Sequence, residues 1–286
     1  MGSSGDNTVV VGLIGAGIGA SFSPALHERE AALLGFEYEY RLLDLDELGR
    51  PASDVGALVR EAQRAGLRGL NITHPCKQLV VGELDELSPE AAALGAVNTV
   101  VLRDGRKVGH NTDASGFREA FERRLPGART EHVVLLGAGG AGASVGHAIL
   151  ALGAERLSVV DVEDDRAAGL AEALGPRAAV ADMGALAEAD GLIHATPTGM
   201  DSHPGSAVPP ELLDPRHWVA EVVYMPLRTQ LLQDAEERGC RRLDGGAMVA
   251  LQAAGSLELF TGARPDRDRM LAHVDELCAA RSPLSA

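Results

Sequence analysis

Two rhythms of apolar and polar residues alternate along this chain and divide it into strand and helix segments. Val9–Ile14, Tyr38–Leu43 and Gly69–Thr73 are short runs rich in β-branched and aromatic residues and read as strands. Between them, Ala25–Leu34 and Asp54–Ala65 carry apolar residues at helical spacing. Ala96–Leu102 and Lys107–Asn111 flank Asp104-Gly105, a dipeptide suited to a tight hairpin turn. Phe117–Leu125 is helical. The middle third is more regular, with strands expected at His132–Leu136, Leu157–Asp161, Ala178–Ala181, Gly191–Ala195 and Trp218–Val223 and Ala-rich helical stretches between them. After Gly246, the segments Ala247–Phe260 and Asp266–Ala280 read as two terminal helices. Strands alternating with helices predict an α/β fold with a mostly parallel, doubly wound sheet. No internal repeat or long low-complexity linker interrupts the pattern.

A length of 286 residues suits two domains, each with its own core. A net charge of −15 and an aromatic share of 3% argue against nucleic acid or an anionic membrane as partner. An anionic ligand must therefore be held by local groups rather than by a general positive field. Cys76, Cys240 and Cys278 are an odd set without CxxC spacing, which predicts reduced thiols in a cytoplasmic protein rather than disulfides or a zinc site. The apolar run Val9–Ala20 is preceded by Asp6 and by no Lys or Arg, so it lacks the charged start of a signal peptide. Asp6 also stands where a myristoylation motif wants Ser or Thr. Met1–Thr8 reads as a disordered tail, and no stretch is long and apolar enough to span a bilayer. Oligomeric state leaves no trace in the sequence.

One motif changes the picture. The strand His132–Leu136 runs into Gly137-Ala138-Gly139-Gly140-Ala141-Gly142 and then into the helical Ala143–Leu152. Glycines there let the backbone turn tightly and approach a pyrophosphate, whose charge meets the N–H groups at the helix start. Asp161 ends the next strand, where an acidic residue accepts hydrogen bonds from adenosine ribose hydroxyls. The alternative is a packing turn with Asp161 as a loop residue. Gly15-Ala-Gly17-Ile-Gly19 is a decoy, because the chain continues through Ser21-Phe-Ser23 before its helix, with Ser23 as the expected N-cap and Pro24 as the first helical residue.

Three further patterns carry candidate chemistry. In Asn71-Ile-Thr73-His-Pro75-Cys-Lys77, Pro75 is expected to open a helix with Lys77 in its first turn, where the dipole disfavours an ammonium. A solvated first-turn lysine is the plain alternative. Asp113 in Asn111-Thr112-Asp113 could serve as an N-cap. Asn98 in Gly95-Ala-Val-Asn98-Thr99 could be a satisfied turn residue.

These patterns, in this order, resemble the shikimate dehydrogenases, and the resemblance covers nearly the whole chain from Gly12 onward. It includes Ser21-Phe-Ser23-Pro-Ala-Leu-His27, Ala195-Thr196-Pro-Thr-Gly-Met200, Val223-Tyr224-Met-Pro-Leu and Gly246-Ala-Met248-Val-Ala-Leu-Gln252. The likeness is strongest to the NAD-dependent quinate/shikimate branch. It implies an N-terminal α/β substrate domain completed by the C-terminal helices (residues 1–113 and 246–286) and a Rossmann domain (residues 114–245) binding NAD. Lys77 and Asp113 resemble the family's catalytic pair. Ser21 and Ser23 look like donors to a substrate carboxylate, and Thr73, Asn98, Tyr224 and Gln252 complete the substrate set. Gly137, Ala138, Gly139, Gly140, Ala141, Asp161, Thr196, Val223, Gly245 and Met248 complete the cofactor set.

The implied reaction interconverts shikimate and 3-dehydroshikimate, with a polyhydroxylated ring carboxylate as partner. Quinate, or an amino analogue, is the alternative substrate. Quinate users of the family often vary the second serine of Ser-x-Ser, so Ser23 favours shikimate. The run Asp161-Val-Glu163-Asp164-Asp165-Arg166 favours NAD, since its carboxylates repel the 2′-phosphate of NADP. His27, His110 and His194 have no metal-ligand spacing, and no metal is expected. A ligand-sensing regulator on the same scaffold is the reading from another class, and the presence of both Lys77 and Asp113 argues for an enzyme.

Overall fold

The computed structural model describes residues 8–281, so the expected N-terminal tail, Thr8 apart, lies outside the described residues. The described residues form two α/β units, one of residues 8–112 with Ala253–Met270, the other of Asp113–Gln252 with residues 271–281.

The first unit contains β1 (Val9–Gly15), α1 (Ser23–Leu33), β2 (Tyr38–Asp44), α2 (Leu45–Leu48), α3 (Val55–Arg64), β3 (Gly69–Ile72), β4 (Glu86–Leu87), α4 (Pro89–Leu94), β5 (Thr99–Arg103) and β6 (Arg106–His110). Its six-stranded sheet has the order β2-β1-β3-β5-β6-β4. β1 runs parallel to β2 and β3, whereas β5 is antiparallel to β3 and β6. Alternate side chains of β1 leave the sheet in opposite directions, so both faces carry a core. Ile14 packs with Leu58, Val59 and Leu70, and Val9, Val11 and Leu13 pack with Tyr40, Val101 and Phe260. The β5–β6 hairpin turns at Asp104 and Gly105, whose φ values of 52° and 76° are the left-handed pair such a two-residue loop needs.

The second unit follows through α5 (Thr112–Arg124), β7 (His132–Leu136), α6 (Gly140–Ala151), β8 (Arg156–Val160), α7 (Asp164–Leu174), β9 (Ala178–Val180), β10 (Gly191–His194), β11 (Trp218–Glu221), α8 (Gln230–Glu237) and β12 (Arg241–Leu243); α9 (Gly245–Thr261) and α10 (Arg267–Arg281) are divided, Ala253–Met270 belonging to the first unit and the rest to the second. The order β12-β11-β10-β7-β8-β9 is parallel throughout. The chain builds outward from β7 to β9, returns to the centre at β10 and builds outward again. Between β7 and β10 lies the topological switch point at which such sheets bind ligands. The strands are buried runs, Val133–Leu135 at 0% exposure among them, as a sheet covered on both faces requires. Among the described residues no helix is long and apolar enough to cross a membrane.

Candidate active site

In the first unit, one end of the sheet gathers the loops after β1 and β3 with the segment that leads into β5. The Thr73 N–H donates to the Ile14 carbonyl at 2.9 Å, and the Ala16 N–H donates to the His74 carbonyl at 3.0 Å. The Val97 N–H donates to the Lys77 carbonyl at 2.9 Å. These bonds set the glycine loop, Thr73, Lys77 and Asn98 side by side. The Gly17 and Ile18 N–H groups donate to the Asp44 carboxylate at 3.0 and 2.7 Å. The first glycine loop therefore spends its amides on the protein itself, and α1 begins only at Ser23.

Two local expectations are corrected here. Ser23 is the first residue of α1, not its N-cap; the cap is Phe22, whose carbonyl accepts the Leu26 N–H at 3.0 Å. Ser21 instead braces the turn, its Oγ accepting the Ser23 N–H at 3.2 Å. Pro75 opens no helix. Residues 74–78 are turns, and a short 3-10 helix follows at Leu79–Glu83. The Cys76 N–H returns to the Thr73 carbonyl at 2.8 Å and the Lys77 carbonyl is taken by Val97, so the segment is a turn that enters helical bonding only where the Val80 N–H donates to the Cys76 carbonyl at 3.0 Å. The helix-dipole argument for Lys77 lapses with it, and its half-buried position beside the Asn98 segment remains.

Asn98 is 3% exposed, and its Oδ1 accepts the Thr112 N–H at 2.7 Å and the Thr99 hydroxyl at 2.9 Å. Its Nδ2 lies 2.9 Å from Thr112 Oγ1. The Asn111 amide donates to the Ala96 carbonyl at 3.1 Å. Two members of Asn111-Thr112-Asp113 thus fasten the start of α5, and Asp113 falls in its first turn rather than at its cap. A second chain of hydrogen bonds starts beside the serine loop. The Tyr40 phenol, next to Ser23, donates its hydroxyl to Asn71 Oδ1 at 2.8 Å. Asn71 Nδ2 donates to the Asn98 carbonyl at 3.3 Å, which fixes the orientation of that amide. Burial raises the Tyr40 pKa far above the ordinary phenol range, so the group stays neutral.

In the second unit the candidate cofactor residues converge on the carboxyl ends of β7, β10 and β11. A Cβ on Gly137, whose φ is 108°, would lie 2.6 Å from the Ala195 carbonyl and 2.9 Å from the Thr196 methyl. The glycine loop therefore abuts Thr196 across the switch point. Around Gly139 and Gly140 a Cβ would meet nothing within 4 Å, and α6 starts at Gly140. That open glycine turn at a helix start fits a pyrophosphate. A Cβ on Gly245 would meet the Val222 and Val223 carbonyls at 2.5 Å, so α9 begins pressed against Val223, with Met248 one turn further on. Gly116 of α5 packs as closely on α9, since its Cβ would lie 2.7 Å from the Gln252 nitrogen. Asp113, three residues earlier on α5, shares the Gly116 face. Tyr224 is half-buried, and burial raises its pKa.

Asp161 follows β8, and its carboxylate accepts the N–H groups of Ala138 at 2.7 Å and Glu163 at 3.0 Å. Burial pushes its pKa up, but these N–H bonds outweigh burial and leave it below the usual Asp value. Arg166 pairs with Glu163 at 2.9 Å.

Tyr40, Asn71 and Glu221 had no role in the sequence reading. Glu221 gave the one available signal, an acidic residue closing an apolar strand. His27 and His194 prove to be hydrogen-bonding residues. His27 Nδ1 lies 3.0 Å from the Tyr38 hydroxyl and Nε2 lies 3.3 Å from Ser256 Oγ, and burial lowers its pKa to about 3. His194 lies between Glu221 and Thr196.

Residues 13–100 match the model of the shikimate dehydrogenase substrate binding domain. A shikimate dehydrogenase (NADP(+)) of Streptomyces avermitilis is 58% identical over 280 residues, covering 95% of this chain and 96% of that protein. A quinate/shikimate dehydrogenase (NAD(+)) of Corynebacterium efficiens is 46% identical over 277 residues, covering 93% and 97%. Among solved structures, the quinate dehydrogenase from Corynebacterium glutamicum in complex with NAD superposes with a TM-score of 0.89 at 42% identity, covering 94% of this chain and 99% of that one.

Proposed function

The chain belongs to the shikimate dehydrogenase family, and from that premise we propose that it oxidises shikimate to 3-dehydroshikimate with NAD. The proposed substrate domain comprises residues 1–113 and 246–286, and the proposed dinucleotide domain residues 114–245. The observation that carries the cofactor choice is the charge after β8. Asp161, Glu163, Asp164 and Asp165 stand in six residues against Arg166, and that guanidinium already meets Glu163. A ribose 2′-hydroxyl finds an acceptor in Asp161, whereas a 2′-phosphate finds repulsion. The named relatives divide between NADP and NAD, so this segment is the basis of the assignment.

The bound dinucleotide supplies or accepts the hydride, and the chain provides orientation and a proton path. Lys77 and Asp113 move the proton of the reacting hydroxyl, as general acid in one direction and base in the other. Ser21 and Ser23 hold the carboxylate, and Thr73, Asn98, Tyr224 and Gln252 orient the ring. With its Oδ1 engaged by Thr112 and Thr99 and its Nδ2 donating to Thr112, Asn98 is held in a fixed orientation for that role. Cys76, Cys240 and Cys278 are buried, and reduced thiols in a cytoplasmic setting are part of the proposal.

A matrix of shikimate and quinate against NAD and NADP tests both assignments. We expect the highest kcat/KM for shikimate with NAD. Residual quinate activity about a hundredfold lower is compatible, because pockets reject an added hydroxyl poorly. Equal or better efficiency with NADP overturns the cofactor assignment. A clear preference for quinate shows that Ser23 does not set specificity.

A further inference from the structure

Where β10 and β11 end, the second unit buries a pair of ionisable side chains that the proposed reaction leaves without a role. His194 and Glu221 are register partners across these strands and are 0% and 2% exposed. A carboxylate so deep in the protein requires hydrogen bonds. Glu221 Oε1 accepts the Val223 N–H at 3.0 Å, and Oε2 accepts the Thr229 hydroxyl at 3.1 Å. Thr229 Oγ1 also caps α8 by accepting the Leu232 N–H, so its own proton is directed to Glu221. His194 Nδ1 completes the set at 2.8 and 3.0 Å from the two carboxylate oxygens. Both oxygens act as acceptors, so Nδ1 carries a hydrogen.

The opposite ring nitrogen, Nε2, lies 2.6 Å from Thr196 Oγ1, which also accepts the Thr198 N–H at 3.3 Å. In its neutral form, with the one ring hydrogen on Nδ1, His194 accepts the Thr196 hydroxyl proton at Nε2. Thr196 is then held with an oxygen lone pair, not its hydrogen, available to a ligand. The buried pair thus reaches two segments by one bond each, the Val223 amide after β11 and the Thr196 hydroxyl after β10.

We propose that His194 and Glu221 are positioning residues for the nicotinamide end of the cofactor, Glu221 fixing the Val223 backbone and His194 fixing the direction of the Thr196 hydroxyl. This rests on placing the dinucleotide at the carboxyl ends of β7, β10 and β11. Without the His194 bond the Thr196 hydroxyl rotates, and the loss is felt by the nicotinamide half of the cofactor and not by the adenosine half.

The test uses His194→Asn, whose amide keeps a donor for Glu221 but is too short to reach Thr196. NADH and ADP-ribose, which lacks the nicotinamide, are titrated against the full chain, alongside Tm. We expect NADH to bind about fivefold more weakly, as for one lost hydrogen bond, with ADP-ribose affinity unchanged and a modest fall in Tm from the shorter buried side chain. Thr196→Val reproduces the loss, Thr196→Ser restores NADH affinity, and the double variant His194→Asn/Thr196→Val loses no more than either single change. Equal weakening of NADH and ADP-ribose with a lowered Tm assigns the pair to fold support and overturns the proposal. So does unchanged NADH affinity. A wild-type chain that binds neither ligand overturns the placement of the dinucleotide itself, which separates the two failures.

Discussion

Replacing Lys77 with alanine is expected to lower turnover at saturating substrate by at least about a hundredfold, the scale on which enzymes lose a general acid or base. Asp113→Asn is expected to do the same. Each variant should bind NADH as the wild type does, because the glycine turn and Asp161 at the carboxyl ends of β7 and β8 are untouched. The structure explains why Lys77 can be removed without collapse. Its neighbours are held through the backbone, by the Cys76 N–H to the Thr73 carbonyl and the Val97 N–H to the Lys77 carbonyl. Asp113 needs the milder change, since it is 7% exposed in the first turn of α5. The measurement is a steady-state comparison of kcat and KM, with Tm as a control for folding. Near-normal turnover of the Lys77 variant would remove it from the chemistry and leave it a half-buried lysine beside Asn98.

The strands were legible because a strand buried on both faces, or alternating cleanly, leaves a pattern that side-chain packing enforces. β7, β8, β10 and β11 fall within a residue or two of their expected positions, and the β5–β6 hairpin turns on the expected Asp104-Gly105. The short pieces α2, α4, β4 and β12 span fewer residues than either period needs to show itself. The Pro75 segment misled because proline is equally at home in a turn and at a helix start, and only the Val97–Lys77 bond, formed with a distant part of the chain, decides which. The motif residues of the site could be named one by one. Their supports could not, because Tyr40, Asn71, His194 and Glu221 are defined by partners up to 31 residues away. A histidine or tyrosine in an apolar strand looks the same in sequence whether it is filler or the anchor of a hydrogen-bond chain.

The glycines of the fingerprint should separate by experiment into one that serves the ligand and one that serves the fold. Gly142→Ala places a Cβ inside van der Waals contact with the Gly137 carbonyl, itself pinned by a positive φ, so α6 must move away from β7. Overpacking of this kind costs about 1–3 kcal/mol, which for a protein of this size is several degrees of Tm. NADH affinity should fall with it, since the displaced helix start no longer faces the pyrophosphate. Gly139→Ala is different. Its φ of −79° suits alanine, and the added carbon meets nothing within 4 Å. Tm should therefore stay within about a degree or two of the wild type, as for other unstrained surface changes. The new methyl instead occupies the space through which the backbone approaches the pyrophosphate. NADH should bind at least about tenfold more weakly, a loss within the range for a forced contact. Calorimetry and fluorescence titration of the two variants give a two-by-two result. If Gly139→Ala bound NADH normally, the open glycine turn would be only a packing turn before α6, and the dinucleotide would have to be sought elsewhere on the second unit.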